Sequence, residues 1–187
     1  MRAAADPTST LRDRELSGFV GMVVALGAFA MWFAALFFAY AALRARAPMW
    51  PPDGDPRLPV GLPGLNTLVL AASSGALGLA TRALDGGAIG KFRRLAAMAM
   101  ALGALFLALQ LRVWIDVWRG GLMPSSSAYG SVFYALTAVH AAHVLGGLLA
   151  VGITAVGARG PSVQRAAMFW HFVGAVWIPM YLFVYVM

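Results

Sequence analysis

Ala128-Tyr-Gly-Ser-Val-Phe-Tyr-Ala-Leu-Thr-Ala-Val-His140-Ala-Ala-His143-Val-Leu-Gly146-Gly147, continuing apolar to Gly157, is the stretch that decides the fold. It runs for 30 residues without Lys, Arg, Asp or Glu, and it holds two of the three histidines. A membrane-spanning helix needs only about 20 apolar residues. A run this long without charge therefore belongs in hydrocarbon. Two imidazoles three residues apart on such a helix are the sharpest functional question in the chain.

The rest of the composition agrees. Of 187 residues, 61% are hydrophobic and 11% charged, with a mean hydropathy of +0.77. Soluble domains carry roughly 25% charged residues. This is the composition of an integral membrane protein. There is no cysteine, which excludes disulfides, thiolate nucleophiles and Cys-based metal sites. The net charge of +7 comes from arginine-rich ends and loops. It speaks for topology rather than nucleic-acid binding, since no basic face exists outside short loops.

Working outward from residues 128–157, four further spans appear. Helix 1 covers about 18–44 and is strongly aromatic from Met31 to Tyr40. The apolar run is too long for a signal-peptide core and no small-residue cleavage pattern follows it. Residues 47–63 contain six prolines and form a loop. Helix 2 covers about 65–84. Asn66 and Thr67 suit its start as amide caps, and Ala71, Ser74, Gly75 and Gly78 give it a small-residue face for another helix. Helix 3 covers about 92–114, with small residues at Ala97, Ala101 and Ala104 and with Gln110 near its end. A turn at 158–163 precedes helix 5, about 164–187, which Pro179 should kink.

The expected architecture is thus an all-α integral membrane fold of five transmembrane helices, at about 18–44, 65–84, 92–114, 128–157 and 164–187. Residues 1–17 form a polar tail and 18–187 a single five-helix domain. Nine basic residues (Arg2, Arg12, Arg14, Arg82, Lys91, Arg93, Arg94, Arg159, Arg165) fall on the N-terminal side. Five (Arg44, Arg46, Arg57, Arg112, Arg119) fall on the other. The bias favours N-inside and C-outside. It also gathers Trp50, Trp114, Trp118, Tyr129 and Tyr185 at the outer interface.

Three readings compete for the histidines, because intramembrane ionisable residues are functional by default. Bis-histidine haem ligation needs two imidazoles at one depth. His140 and His171 differ by roughly 10 Å at about 1.5 Å per residue, although His143 lies nearer in depth to His171. A site for zinc or copper would need His140, His143 and His171 to converge without any carboxylate beside them. The third reading, neutral imidazoles hydrogen-bonding between helices with Gln110 and Thr137 as partners, is preferred. No Asp or Glu lies inside any of the five spans, so a proton relay is unsupported. Five helices also divide poorly into a transporter's inverted repeats. The pattern is that of an accessory membrane subunit.

The segment Ser131 to Gly147, with Phe133-Tyr134, Thr137, His140, His143-Val144 and the glycine pair, resembles a helix motif of subunit III of the haem-copper oxidases. Phe169-Trp170-His171-Phe172-Val173 with Val176-Trp177 resembles that family's C-terminal helix. Leu65-Asn66-Thr67 with Ser73-Ser74 is similar to its second motif. Leu102-Gly103, Phe106-Leu107, Gln110 and Trp114 are similar to a third, and Phe33 to Phe37 with Leu43-Arg44 to the first. The resemblance covers nearly the whole chain from about residue 20. It implies the five-helix form of a non-catalytic subunit, packed on catalytic subunit I with subunit II in the same complex. Such a subunit binds phospholipid and supports proton uptake and the durability of the active site.

By the same resemblance, haems and copper belong to partner subunits and no cofactor, metal or catalytic residue is expected on this chain. The membrane implied is a bacterial inner (plasma) membrane and the electron donor cytochrome c. A component of a quinol oxidase or nitric oxide reductase would look alike at this level, and a free-standing haem protein or transporter is the rival of another class. Three acids usual in the family are replaced here, by Phe29, Val113 and Gly174. The residues expected to contact helix, lipid or partner are His140, His143, His171, Trp170, Gln110, Asn66, Gly146 and Gly147.

Overall fold

The computed structural model describes residues 7–157 and 160–187, with side chains from Asp13 onward. Five helices in this range are long and apolar enough to cross a membrane, and no strand occurs among the described residues. They are α1 (Pro7–Arg46), α2 (Gly61–Asp85), α3 (Ile89–Arg119), α4 (Ala128–Gly157) and α5 (Gly160–Met180). A π-helical segment, Tyr181–Val186, continues α5.

The bounds of α4 coincide with the uncharged run. Its first turn is capped by Ser127, whose Oγ accepts from the Gly130 amide at 3.1 Å. Elsewhere the helices outrun the apolar segments. α1 starts at Pro7 rather than near residue 18. Its 40 residues span about 60 Å at ~1.5 Å per residue, twice the thickness of the hydrocarbon. Hydropathy marks where the hydrocarbon ends, not where the helix does. Similarly α3 continues past Trp114 to Arg119, and α5 takes in Pro161 and Val163, which the expected turn contained. Ala158 and Arg159 of that turn, and Arg2 in the charge comparison, lie outside the described residues.

Two glycine pairs stop α2 and α3 in the same way. Gly87 (φ 74°) and Gly121 (φ 96°) adopt the left-handed conformation. The amides of Ala88 and Leu122 reach back to the carbonyls of Ala83 and Val117, and those of Gly87 and Gly121 to Leu84 and Trp118. This six-to-one, five-to-two arrangement satisfies carbonyls that a helix end leaves open, and glycine adopts it without strain. Reversal after α2 is complete within residues 86–88, so α2 and α3 form a tight hairpin.

That hairpin is the most intimate contact in the fold. Ser73 Oγ donates to the Ala99 carbonyl at 2.7 Å, and Asn66 Nδ2 to the Phe106 carbonyl at 3.1 Å. Asn66 is therefore an interior tie, not the cap of its helix, which begins at Gly61 without a side-chain cap. The α2–α3 interface uses Ser73, Ala76 and Ala80 against Ala96 and Ala99, all buried. The expected small-residue faces lie a step around from it. Ala71 and Gly75 on α2, and Ala97, Ala101 and Ala104 on α3, point outward. α4 and α5 complete the core around Phe92, Phe106, Phe133, Leu136, Trp170 and Trp177. α1 leans on α5 and α4, and of its described side chains only Phe33 and Tyr40 are buried.

Pro179 does not end α5. It removes one donor to the carbonyl four residues back, and the backbone stays α-helical to Met180 before widening into the π register from Tyr181. The widened segment buries Val184 and Tyr185 against the bundle.

Candidate functional site

The buried polar side chains lie along one seam between α2, α3, α4 and α5. Gln110 Nε2 donates to Tyr185 Oη at 3.0 Å. Trp114 Nε1 donates to Thr137 Oγ1 at 3.0 Å, and that hydroxyl donates to the Phe133 carbonyl at 2.7 Å. Trp177 Nε1 donates to Thr67 Oγ1 at 2.9 Å, which passes its own proton to the Pro63 carbonyl at 2.9 Å. Together with Asn66 and Ser73, these bonds tie each helix to another by neutral groups. In hydrocarbon such bonds contribute about 0.6 to 2 kcal/mol each. They also set the rotation of each helix about its axis.

Several of these ties were not evident in the sequence. Tyr185 was expected in the interfacial belt but is buried, as is Tyr129, which lies under Trp50 with ring centroids 5.0 Å apart. Gln110 and Thr137 were expected to serve the histidines; the structure gives both to aromatic partners instead. The reason is reach: Tyr185 is brought inward by the π segment, and Trp114 faces α4 one turn from Gln110. Ser73, named above only as part of a family motif, proves to bond the backbone of the neighbouring helix, a role that an interior serine in a small-residue helix makes readable.

The three histidines occupy three environments. His140 is 1% exposed, and neither ring nitrogen has a hydrogen-bond partner among the described residues. Its imidazole packs with Trp177 (centroids 5.1 Å), Phe106 (5.8 Å) and Phe33 (6.3 Å). His143 is half-buried, and its Nδ1 bonds the Val139 carbonyl of its own helix at 2.7 Å. Phe29, Phe33 and Phe169 surround it, with Phe29 edge-on at 4.8 Å. His171 lies at the α2–α5 edge, exposed, with Nδ1 bonded to Ser74 Oγ. Among the described residues no three His, Asp or Glu side chains gather in one place.

Trp170 is the steric centre of the seam. An added Cβ at Gly103 would lie 2.6 Å from the Trp170 ring, and one at Gly147 2.8 Å from it. The indole is therefore clamped between the backbones of α3 and α4, with its Nε1 unpartnered among the described residues. Gly146, by contrast, faces open space. Of the positions where the sequence lacks acids, Phe29 meets His143, Val113 is fully buried, and Gly174 has free space around it.

The sequence model for cytochrome c oxidase subunit III matches residues 15–187. This chain belongs to the cytochrome c oxidase subunit III family. It is 32% identical over 176 residues to cytochrome c oxidase subunit 3 of Synechocystis, covering 89% of this chain and 74% of that relative. To the probable cytochrome c oxidase subunit 3 of Nocardia farcinica it is 36% identical over 176 residues, covering 89% and 86%. To the corresponding Mycobacterium leprae protein it is 35% identical over 175 residues, with the same coverage. Subunit III of cytochrome c oxidase is a component of an oxidase complex in the respiratory chain. The subunit III resemblance carried by the motifs on all five helices is therefore correct.

Proposed function

We propose that this chain is a non-catalytic subunit III of a bacterial haem-copper terminal oxidase, packed on catalytic subunit I with subunit II in the same complex. The observation that carries this reading is the seam. It is built of neutral side chains that tie helix to helix by hydrogen bonds to one another and to neighbouring backbone, and the bundle centre is filled by Trp170, Trp177 and Phe106. Such an interior holds helices in fixed rotation and moves neither electrons nor protons. Oxygen reduction, with cytochrome c as donor, and proton translocation then belong to the partner subunits, which hold the haems and copper.

A second role is lipid binding. A groove of about 600 Å³ runs between α1 and the π segment, lined by Phe37, Phe38, Tyr40, Ala41 and Phe183, with Arg44 at its mouth. Apolar walls below a guanidinium suit an acyl chain under an anionic headgroup. The chain lies in the inner (plasma) membrane with its N-terminus inside and the far end of α5 outside. Alkaline phosphatase fused after Met187 should be active and the same enzyme fused before Met1 inactive; the reverse pattern would invert the orientation.

The decisive experiment deletes this chain and purifies the remaining oxidase. The haem spectrum should be intact and oxygen reduction should start at close to the normal rate, then decline over successive turnovers. Loss of a haem band on deletion, or a Soret absorption from this chain purified alone, would overturn the reading.

A further inference from the structure

Ser74 and His171 form a polar pair at the wrong place for a free surface. Ser74 lies 13 residues into α2 and 11 from its end. His171 lies 11 residues into α5 and 15 before the end of the π segment. At about 1.5 Å per residue both fall within a few ångströms of mid-bilayer, on two separate helices. Yet His171 is exposed, and its Nε2–Cε1 edge lies over Gly78, where an added Cβ would be 3.8 to 3.9 Å away. The Ser74 hydroxyl has no acceptor among the described residues other than His171 Nδ1. Its proton therefore goes to Nδ1, which leaves Nε2 carrying hydrogen beside Gly78, with no acceptor for it among the described residues.

Lipid tails offer that N–H no acceptor, and water is absent at this depth. Ionisable side chains in spanning helices face the protein interior almost without exception. The backbone beside the pair is also bare, since Gly75 has nothing near it and Ala71 is exposed. We infer that the α2–α5 face around Ser74 and His171 is where a transmembrane helix of another subunit docks, presenting a hydrogen-bond acceptor to His171 Nε2 at mid-bilayer. This rests on the reading of the chain as one subunit of a complex. A single helix fits better than a lipid because close backbone approach requires small residues on one side, and because only a polypeptide brings an acceptor to that depth.

A photo-cross-linking residue placed at Ala71, exposed one turn before Ser74, or at Ile178, exposed two turns after His171, would read the face in native membranes of the intact complex. Leu145, exposed on α4, is the control. The expected result is a cross-link to a different polypeptide from Ala71 and Ile178 and none from Leu145. Capture of lipid alone, of a second copy of this chain, or equal capture from Leu145 would overturn the inference. In parallel, His171→Ala should lower retention of the chain in the detergent-purified complex severalfold, while His171→Gln, which keeps a donor, restores it; equal retention of both also counts against the docking face. If the captured polypeptide is not an oxidase subunit, the face stands and the oxidase assignment falls. If the chain co-purifies with an oxidase yet cross-links only elsewhere, the assignment stands and the face falls.

Discussion

At the scale of single residues, space and hydrogen bonding make separate demands. Trp170 has no room to move toward Gly103 or Gly147, and inserting even a methyl group into a close-packed interior costs about 1 to 3 kcal/mol. Gly103→Ala and Gly147→Ala should each lower the thermal midpoint of the chain in detergent, whereas Gly146→Ala, with nothing within 4 Å, should leave it unchanged. His140 is the opposite case. A buried polar group without a partner costs about 1 to 3 kcal/mol, so His140→Phe should leave stability unchanged or raise it. Gln110→Leu strands the Tyr185 hydroxyl and should lower it. Midpoints measured side by side on the purified variants would decide; a collapse of His140→Phe would mean that the imidazole has a partner in the membrane. Turnover of the complex should survive His140→Ala and His143→Ala, with the chain held less firmly in detergent.

At the scale of elements, what was legible in the sequence depended on which property each signal reports. Residues 128–157 could be bounded to the residue because an uncharged run and a serine cap coincide there. α1 could not, because residues 7–17 are polar yet keep helix-forming Leu, Arg and Glu, and polarity alone does not stop a helix. The count of five spans and their order were readable from hydropathy. The partner of each polar side chain was not, since that depends on helix rotation and on the π widening after Pro179, neither of which leaves a local mark. The loop between α1 and α2 illustrates this. Trp50 is pinned between Tyr40, which accepts its Nε1 hydrogen at 3.2 Å, and the ring of Tyr129. Trp50→Ala should release residues 47–60 and speed their cleavage by an added protease in the detergent-purified complex, with other loops unaffected; an unchanged rate would show that the prolines alone hold the loop.

At the scale of the whole molecule, the fold is a close-packed hairpin and a second pair of helices, with a single long helix leaning on their flank. The α2–α3 hairpin has its own backbone ties through Ser73 and Asn66, while α1 rests mainly on aromatic contacts with α4 and α5. Phe33→Ala removes one of the two buried anchors of α1. It should loosen that helix without unfolding the rest. A cysteine at Ala99, buried in the hairpin, can report general disruption by maleimide labelling, and one at Leu36, packed from α1 against the core, can report local release. Labelling should rise severalfold at the second position only.

The flanking position of α1 has a consequence for how the chain is made. Synthesis releases α1 first, but the helices it rests on, α4 and α5, emerge last. During most of translation it must therefore remain in the bilayer unaccompanied. It is equipped to do so: α1 is the most apolar of the five spans, and α2 the least. α2 in turn is followed within three residues by α3, so a weakly inserting segment leaves the translocon with its partner close behind. The two extremes of hydropathy, α1 and α2, thus match how late and how soon each meets its companions.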